Sequence, residues 1–379
     1  MCIRDRTDCG EQQSDTPADS VGTGTVVDDS LSTTIYASQN RPDVRGQIGA
    51  VSAGHPLAAQ AGLRVLQEGG NATDAMIAMA GVLAVVRPHM NGIGGDAFGI
   101  FYDGETGEVT ALNASGRSGA LATPEFFSAA GVDRVPGIGP MSVSVPGAVA
   151  GWVDAHERYG SMDFGELLST GISYARNGFA VSTRLAQDFE EQGQNLNDAG
   201  KNLYLPNAEP PQVGSLLRNP QLANSLEIVA AEGKKGFYNG SIARKLSAFI
   251  TEQGGYLRQN DFESHTSTWV NPLRGDYLNH EFVVMPPNTQ GITQLALFEM
   301  AKSHDLAAMM QNGADYLHTL IELKKLAFAD RDRWVADPAL ANVPVDQLLD
   351  VAYLEERAQQ INMSVAAEIV KPGFGDEIF

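Results

Sequence analysis

The chain has 379 residues, a formal net charge of −20 and 43% apolar residues. That length permits one large domain or two, and the apolar share is enough for a sizeable core. The acidic balance argues against nucleic acid and anionic membrane as partners, because both select a basic face.

Residues 1–45 form a separate compositional zone, rich in Asp, Ser, Thr, Gln and Gly, with few large apolar side chains before Ile35. Such a stretch buries too little surface to offset its ordering entropy, so a disordered acidic and polar tail is expected there. The folded domain is expected over 46–379. Cys2 and Cys9 are the only cysteines and both lie in the tail. No structural disulfide and no thiolate metal site is therefore expected. Met1 to Arg6 lacks the apolar run of a signal peptide. The Ser, Asp, Gln and Thr run after Cys9 resembles the tether of an exported lipoprotein. It favours a periplasmic or exported setting, although Arg6-Thr7-Asp8 is not a lipid-attachment box.

Ile48 to Ser52 reads as a short strand. Pro56 sits where a helix begins, with Leu57, Ala61 and Val65 recurring at i, i+4 and i+8. Gly69-Gly70 ends that helix. Asn71 or Thr73 can cap the next, and every residue from Ala75 to Val86 is apolar or Gly, so this helix is buried on all sides. It cannot span a bilayer, which takes about 20 apolar residues. Pro88 stops it. Asn91-Gly92-Ile93-Gly94-Gly95-Asp96 is a turn that permits close backbone approach. Phe98 to Tyr102 and Val109 to Leu112 read as a hairpin across Asp103 to Gly107. Two apolar helices followed by a hairpin point to helices layered on a sheet.

Farther along, helices are expected from Pro124, over Gly147 to Tyr159 and over Phe164 to Tyr174. His156, on the second of these, reads as a partly exposed helix residue rather than a ligand. Arg184 to Asn195 is polar and reads as a solvated face, and Pro206 to Pro211 as a loop. Leu222 to Ala231 and Ile242 to Gln253 are helical, with Gly254-Gly255 breaking the second. Trp269 to Leu273 and Glu281 to Met285 read as strands around Gly275-Asp276. A helix starts over Ile292 to Met300, and 314–360 is helical again.

Familiar chemistry is missing. The glycine turn is not a phosphate loop, because Asp96 and a strand follow it where Lys-Ser or Lys-Thr and a helix are needed. It follows a helix rather than a strand, so the dinucleotide fingerprint fails too. There is no HExxH, no CxxC and no GxSxG, and no two histidines stand at i, i+4. No metal site is expected. Asp330, Arg331, Asp332 and Arg333 alternate in sign, as a structural ion-pair cluster does.

Several segments resemble the gamma-glutamyltranspeptidase family of N-terminal-nucleophile hydrolases. They are Glu68-Gly69-Gly70-Asn71-Ala72-Thr73-Asp74-Ala75, Pro88 to Phe98 and Leu112-Asn113-Ala114-Ser115-Gly116-Arg117. Further on come Val145-Pro146-Gly147, Ala175 to Phe179, Gly236 to Gly240, Met285-Pro286-Pro287 with Gly291, and Asp330-Arg331 with Asp337-Pro338. They occur in the family order over about 45–370. The resemblance implies an α/β fold, the large-subunit part of an αββα sandwich, incomplete without the small subunit and with a mostly helical outer layer. It implies a precursor that cleaves itself before a Thr. The hydroxyl of that Thr attacks an acyl carbon while its own α-amine serves as base. The implied partners are the chain's own C-terminal small subunit and a small-molecule gamma-glutamyl or acyl amide such as glutathione. No cofactor is implied.

Two departures bear on the activity. In acylase-like members the nucleophilic Thr follows a Gly-Asp pair, and Glu377 stands there in Gly375-Asp376-Glu377. A carboxylate cannot supply the hydroxyl, so no catalytic residue is assigned within the chain. Either the nucleophile lies beyond Phe379, the reading adopted here, or this member has lost it and the fold serves binding. The second departure concerns substrate. Family transpeptidases use an Arg in an Asp-Phe-Arg-Glu context to hold the donor carboxylate, and by count that Arg falls on Ser115. Arg117 is the substrate-binding candidate, since its planar fork can take a carboxylate through two hydrogen bonds. The alternative for Arg117 is an ion pair with a buried carboxylate. Asn113 to Arg117 resembles the acylase-like branch, which makes a cephalosporin-type or other amide acylase the competing activity.

Overall fold

A computed structural model of the chain describes residues 44–375 together with 3–4. The expected tail, with Cys2 and Cys9, lies almost wholly outside the described residues, and so does Glu377. The strand expected over Ile48 to Ser52 is reduced to Gly49–Ala50.

Two helices come first: α1 (Pro56–Gln67) and α2 (Ala72–Val86). Asn71, not Thr73, caps α2. Its side chain accepts from Asp74 N at 3.0 Å, and Asp74 accepts in return from Asn71 N at 2.9 Å. This reciprocal cap starts the helix three residues before the apolar run. Asp74 is fully buried and also accepts from Ser161 N at 3.0 Å, tying α2 to a later turn.

An antiparallel sheet follows, with β1 (Ala97–Tyr102) pairing β2 (Val109–Ala114) from Ala97↔Ala114 to Tyr102↔Val109. The inner face of the hairpin, Ala97, Gly99 and Phe101, lies towards the helices. On the outer face of β1, Phe98, Ile100 and Tyr102 are exposed. A short α3 (Pro124–Ala129) leads to α4 (Ala148–Tyr159) and α5 (Phe164–Asn177). α5 packs against α2 so closely that a Cβ on Gly171 would stand 2.6 Å from Gly81 O. The small residues of α2 are therefore what let the helices stack. His156 is half-buried on α4, with Nε2 2.7 Å from Met162 O.

α6 (Thr183–Gln192) corrects the expected solvated face. Leu185, Asp188 and Phe189 are buried on one side of it. Polar composition concealed this, because the buried carboxylate of Asp188 is held by Arg184 at 2.7 Å and His89 at 2.8 Å. Four helices then follow: α7 (Asp198–Tyr204), α8 (Pro220–Lys234), α9 (Ser241–Glu252) and α10 (Gln259–Glu263).

The strands after α10 are three rather than two. β3 (Thr268–Val270) joins β2 through Leu112↔Trp269, giving the order β1-β2-β3. β4 (Leu273–Tyr277) and β5 (His280–Val284) form a separate hairpin. Its turn falls on Leu278-Asn279, with φ of 47° and 64°, and not on Gly275-Asp276, which pair inside the ladder. Gly275 is needed there for space, since a Cβ would meet Leu295 at 3.0 Å.

That hairpin packs on α11 (Gly291–Ala301), where Phe298 stacks on Tyr277 at 5.3 Å. α12 (Ala314–Trp334), α13 (Val345–Leu348) and α14 (Val351–Ala358) replace the expected single helical run over 314–360. α11, α12 and α14 enclose a second apolar core around Met300, Leu323, Leu326 and Leu354. The Asp330 cluster is structural, as its alternating signs implied. Asp330 and Arg357 form a buried pair at 3.3 Å, and Asp330 also accepts from Gly373 N at 2.7 Å and Tyr353 OH at 2.7 Å. No helix among the described residues is long and apolar enough to cross a membrane.

Candidate functional site

The site is built where the glycine turn, the end of β2 and the start of α4 meet. Gly95 O accepts from Gly147 N at 2.9 Å and Ala148 N at 2.8 Å. Asp96 then accepts from Gly116 N at 2.9 Å, and Val145 N donates to Arg117 O at 2.9 Å. The backbones touch. A Cβ on Gly116 would stand 1.6 Å from Val145 O, and one on Gly147 would stand 2.0 Å from Ala114 O. Only glycine fits such contacts, so the Gly-Arg and Pro-Gly pairs of the sequence are a packing requirement.

This lock presents three polar side chains. Asn113 Nδ2 donates to Asn288 Oδ1 at 2.8 Å, and Asn288 Nδ2 donates to Ser115 Oγ at 3.0 Å. Ser115 N closes the ring on Asn113 Oδ1 at 3.0 Å. The ring leaves the Ser115 hydroxyl proton available to a ligand, because Ser115 Oγ accepts from Asn288. Asn288 was not singled out in the sequence, although it directly follows the Met285-Pro286-Pro287 segment that was.

Arg117 is exposed, and its guanidinium makes no hydrogen bond or ion pair among the described residues. An ion pair of Arg117 with a buried carboxylate is not formed among the described residues. Arg117 borders a pocket of about 230 Å³ together with Ser118, Ala120, Val145, Asp261, Ser264 and His265. Asp261 fixes the pocket by accepting from Ala120 N at 2.9 Å and Arg258 N at 2.7 Å. The His265 ring lies on Tyr238 at 5.1 Å, and both its nitrogens are buried without a partner. Burial, and then the charge of Arg117, hold His265 below the usual histidine range. Tyr238 donates to Pro146 O at 2.8 Å and accepts from Ala150 N at 3.0 Å, and burial raises its phenol well above the ordinary value. Neither Asp261 nor His265 belongs to a pattern the sequence made legible.

A second cavity of about 320 Å³ lies between α2, α4 and the inner face of β1. Its walls are mainly apolar, including Met76, Met79, Leu83 and Trp152, with Ser52, Asn91 and Asp96 as its polar members. No group of three or more His, Cys, Asp or Glu side chains is placed to hold a metal among the described residues.

Helices on one face of an antiparallel sheet, with a glycine-locked polar edge, define a layered α/β scaffold. The gamma-glutamyltranspeptidase family model matches residues 58–373, and the chain belongs to that family. A glutathione hydrolase-like proenzyme of Bacillus subtilis is 34% identical over 83% of this chain and 60% of its own length. The gamma-glutamyltranspeptidase structure from Helicobacter pylori superposes with a TM-score of 0.82 at 30% identity, over 88% of this chain and 98% of that one. Cephalosporin acylase from Bacillus halodurans superposes with a TM-score of 0.76 at 33% identity, over 86% of this chain and 62% of that one. The fold is thus the N-terminal-nucleophile hydrolase fold. The chain spans about 60% of the length of the curated relatives it matches.

Proposed function

We propose that the full-length protein transfers or hydrolyses gamma-glutamyl groups, taking glutathione or related gamma-glutamyl amides as donors. In this reading the precursor cleaves itself, and the new N-terminal Thr lies in the part of the protein that follows this chain. Its hydroxyl attacks the amide carbonyl while its α-amine takes the proton. Hydrogen-bond donors aimed at the developing oxyanion stabilise the tetrahedral intermediate. Water or an amine acceptor then releases the acyl group. The present chain contributes recognition. Arg117 takes the donor carboxylate, and the Asn113–Asn288–Ser115 ring orders the chain that leads to it.

The observation that carries this reading is the unpaired Arg117 fork at a polar pocket, within a fold that matches a gamma-glutamyltranspeptidase chain nearly end to end. An amide acylase is the second reading, favoured by Asn113 to Arg117 standing where transpeptidases carry Asp-Phe-Arg-Glu. A non-catalytic role is the third, motivated by Glu377. Turnover of a gamma-glutamyl anilide and of a glutaryl anilide by the full-length protein separates them. A preference for the first donor supports the proposal, a preference for the second supports an acylase, and turnover of neither supports loss of chemistry. Arg117→Ala is expected to weaken carboxylate-bearing donors at least tenfold, and unchanged KM and kcat would remove Arg117 from the site.

A further inference from the structure

The cavity between α2, α4 and the inner face of β1 exists because small residues face it from three sides. Ala80 stands on α2, Gly151 and Ala155 on α4, and Gly99 on β1. Gly151 brings α4 down onto the sheet, where a Cβ would stand 2.7 Å from the Ala114 Cβ. Met79, Trp152 and Phe101 supply larger walls. The Phe101 ring is held by stacking on Tyr159 at 5.1 Å. Protein interiors leave few voids larger than a water molecule, so a space of about 320 Å³ stands out. An apolar cavity of about 150 Å³ already holds a benzene ring. The larger volume has room for a bicyclic one.

The polar groups narrow the chemistry. Asn91 lines the cavity, and its Oδ1 is buried and accepts no hydrogen bond among the described residues. The backbone of Asn91 is fixed, with its N donating to Arg87 O at 3.1 Å. A buried acceptor without a donor is uncommon and calls for one. No Lys, Arg or His lines the cavity, and Asp96 is the ionisable group on its wall. An anionic ligand would meet that carboxylate with no cation to offset it. We propose that this cavity binds a small, uncharged bicyclic aromatic molecule that carries one N–H or O–H group and donates it to Asn91 Oδ1. Trp152 and Phe101 offer aromatic faces and edges to the ring, and Met79 adapts to its outline. The inference goes beyond the gamma-glutamyl reading and does not depend on it, since this cavity shares no lining residue with the pocket at Arg117.

The test is calorimetry on the full-length protein with indole, benzofuran and indole-3-acetate as probes. Benzofuran keeps the ring outline of indole and replaces the N–H with an oxygen, and indole-3-acetate adds a carboxylate. Indole is expected to bind about fivefold tighter than benzofuran, the worth of one hydrogen bond to a buried acceptor. Indole-3-acetate should bind about tenfold more weakly than indole. Asn91→Leu removes the acceptor and should bring indole to about the affinity of benzofuran, with benzofuran binding retained. Ala80→Leu fills the cavity from α2 and should abolish binding of both at an unchanged Tm. Ala155→Leu fills it from α4 and serves as the second variant if the first fails to fold. Absence of indole binding by the wild type would overturn the proposal, as would equal affinity for indole and benzofuran or for indole and indole-3-acetate. Retention of indole binding by a folded cavity-filling variant would place the site elsewhere and overturn it too. Anilide turnover is read separately, so its absence removes the gamma-glutamyl activity and leaves the binding result standing.

Discussion

Gly116→Ala perturbs the lock on which the site depends. Its Cβ would stand 1.6 Å from Val145 O and 2.9 Å from Ser144 Oγ. An ordinary carbon–oxygen contact is about 3.2 Å or more, so two backbones must part by about 1.5 Å; Val145 O is main chain and cannot swing away as a side chain would. Overpacking of this kind costs about 1–3 kcal/mol. The movement also strains the bonds from Val145 N to Arg117 O and from Gly116 N to Asp96, each worth about 1 kcal/mol. A total of about 3–5 kcal/mol is expected, read as a lower urea midpoint with an unchanged slope. Arg117 is the next residue, and a displacement of about 1 Å at a binding group can cost on the order of 100-fold in rate. Gly116→Ala should therefore lose both stability and gamma-glutamyl turnover. A variant within 1 kcal/mol of wild type, with wild-type kcat/KM, would refute the role given to this contact.

Asp74→Ala should lower stability by about 2–3 kcal/mol in urea titration, because it strips the α2 cap and takes the acceptor from Asn71 N and Ser161 N. Asp330→Ala should cost a similar amount, about 3–5 kcal/mol, by leaving the Arg357 charge buried and unpaired; a change under 1 kcal/mol would mean the pair contributes nothing. The stability of the fold should also depend on pH through His55 and His89. Burial holds both below the ordinary value of 6.5, with Arg87 adding to the effect on His55 and opposed at His89 by Asp188. A histidine with a lowered folded pKa binds its proton more readily in the unfolded chain. Its contribution is complete above pH 6.5 and is lost as pH falls through that value. Tm should fall between pH 7 and about 5.5, and the double variant His55→Gln, His89→Gln should flatten that slope.

Much of the first half of the fold was legible because local signals agreed with the packing. Asn71, the unbroken apolar run to Val86 and Pro88 mark α2 almost to the residue, and the alternation over Phe98 to Tyr102 marks β1. Where the signals failed, a tertiary contact had replaced them. Asp188 made α6 look solvated because, besides Arg184 on the same helix, it meets Arg87 and His89 from a separate stretch of chain. The β4–β5 turn went to Leu278-Asn279 because Gly275 was required under Leu295, not at the bend. The site divides in the same way. Gly116 and Arg117 stand out in the sequence as part of a motif. Asn288 meets Asn113 across 175 positions, and His265 meets Arg117 only in the pocket. Contacts at that separation leave no periodicity to read.

The central claim is that this family member supports gamma-glutamyl chemistry through a Thr exposed by self-cleavage. N-terminal sequencing of the purified full-length protein, run beside a gamma-glutamyl anilide assay, tests it most directly. Two chains, the smaller beginning with Thr and accompanied by release of the anilide, are the predicted result. A single uncleaved chain with no turnover would contradict the claim and leave a fold retained for binding.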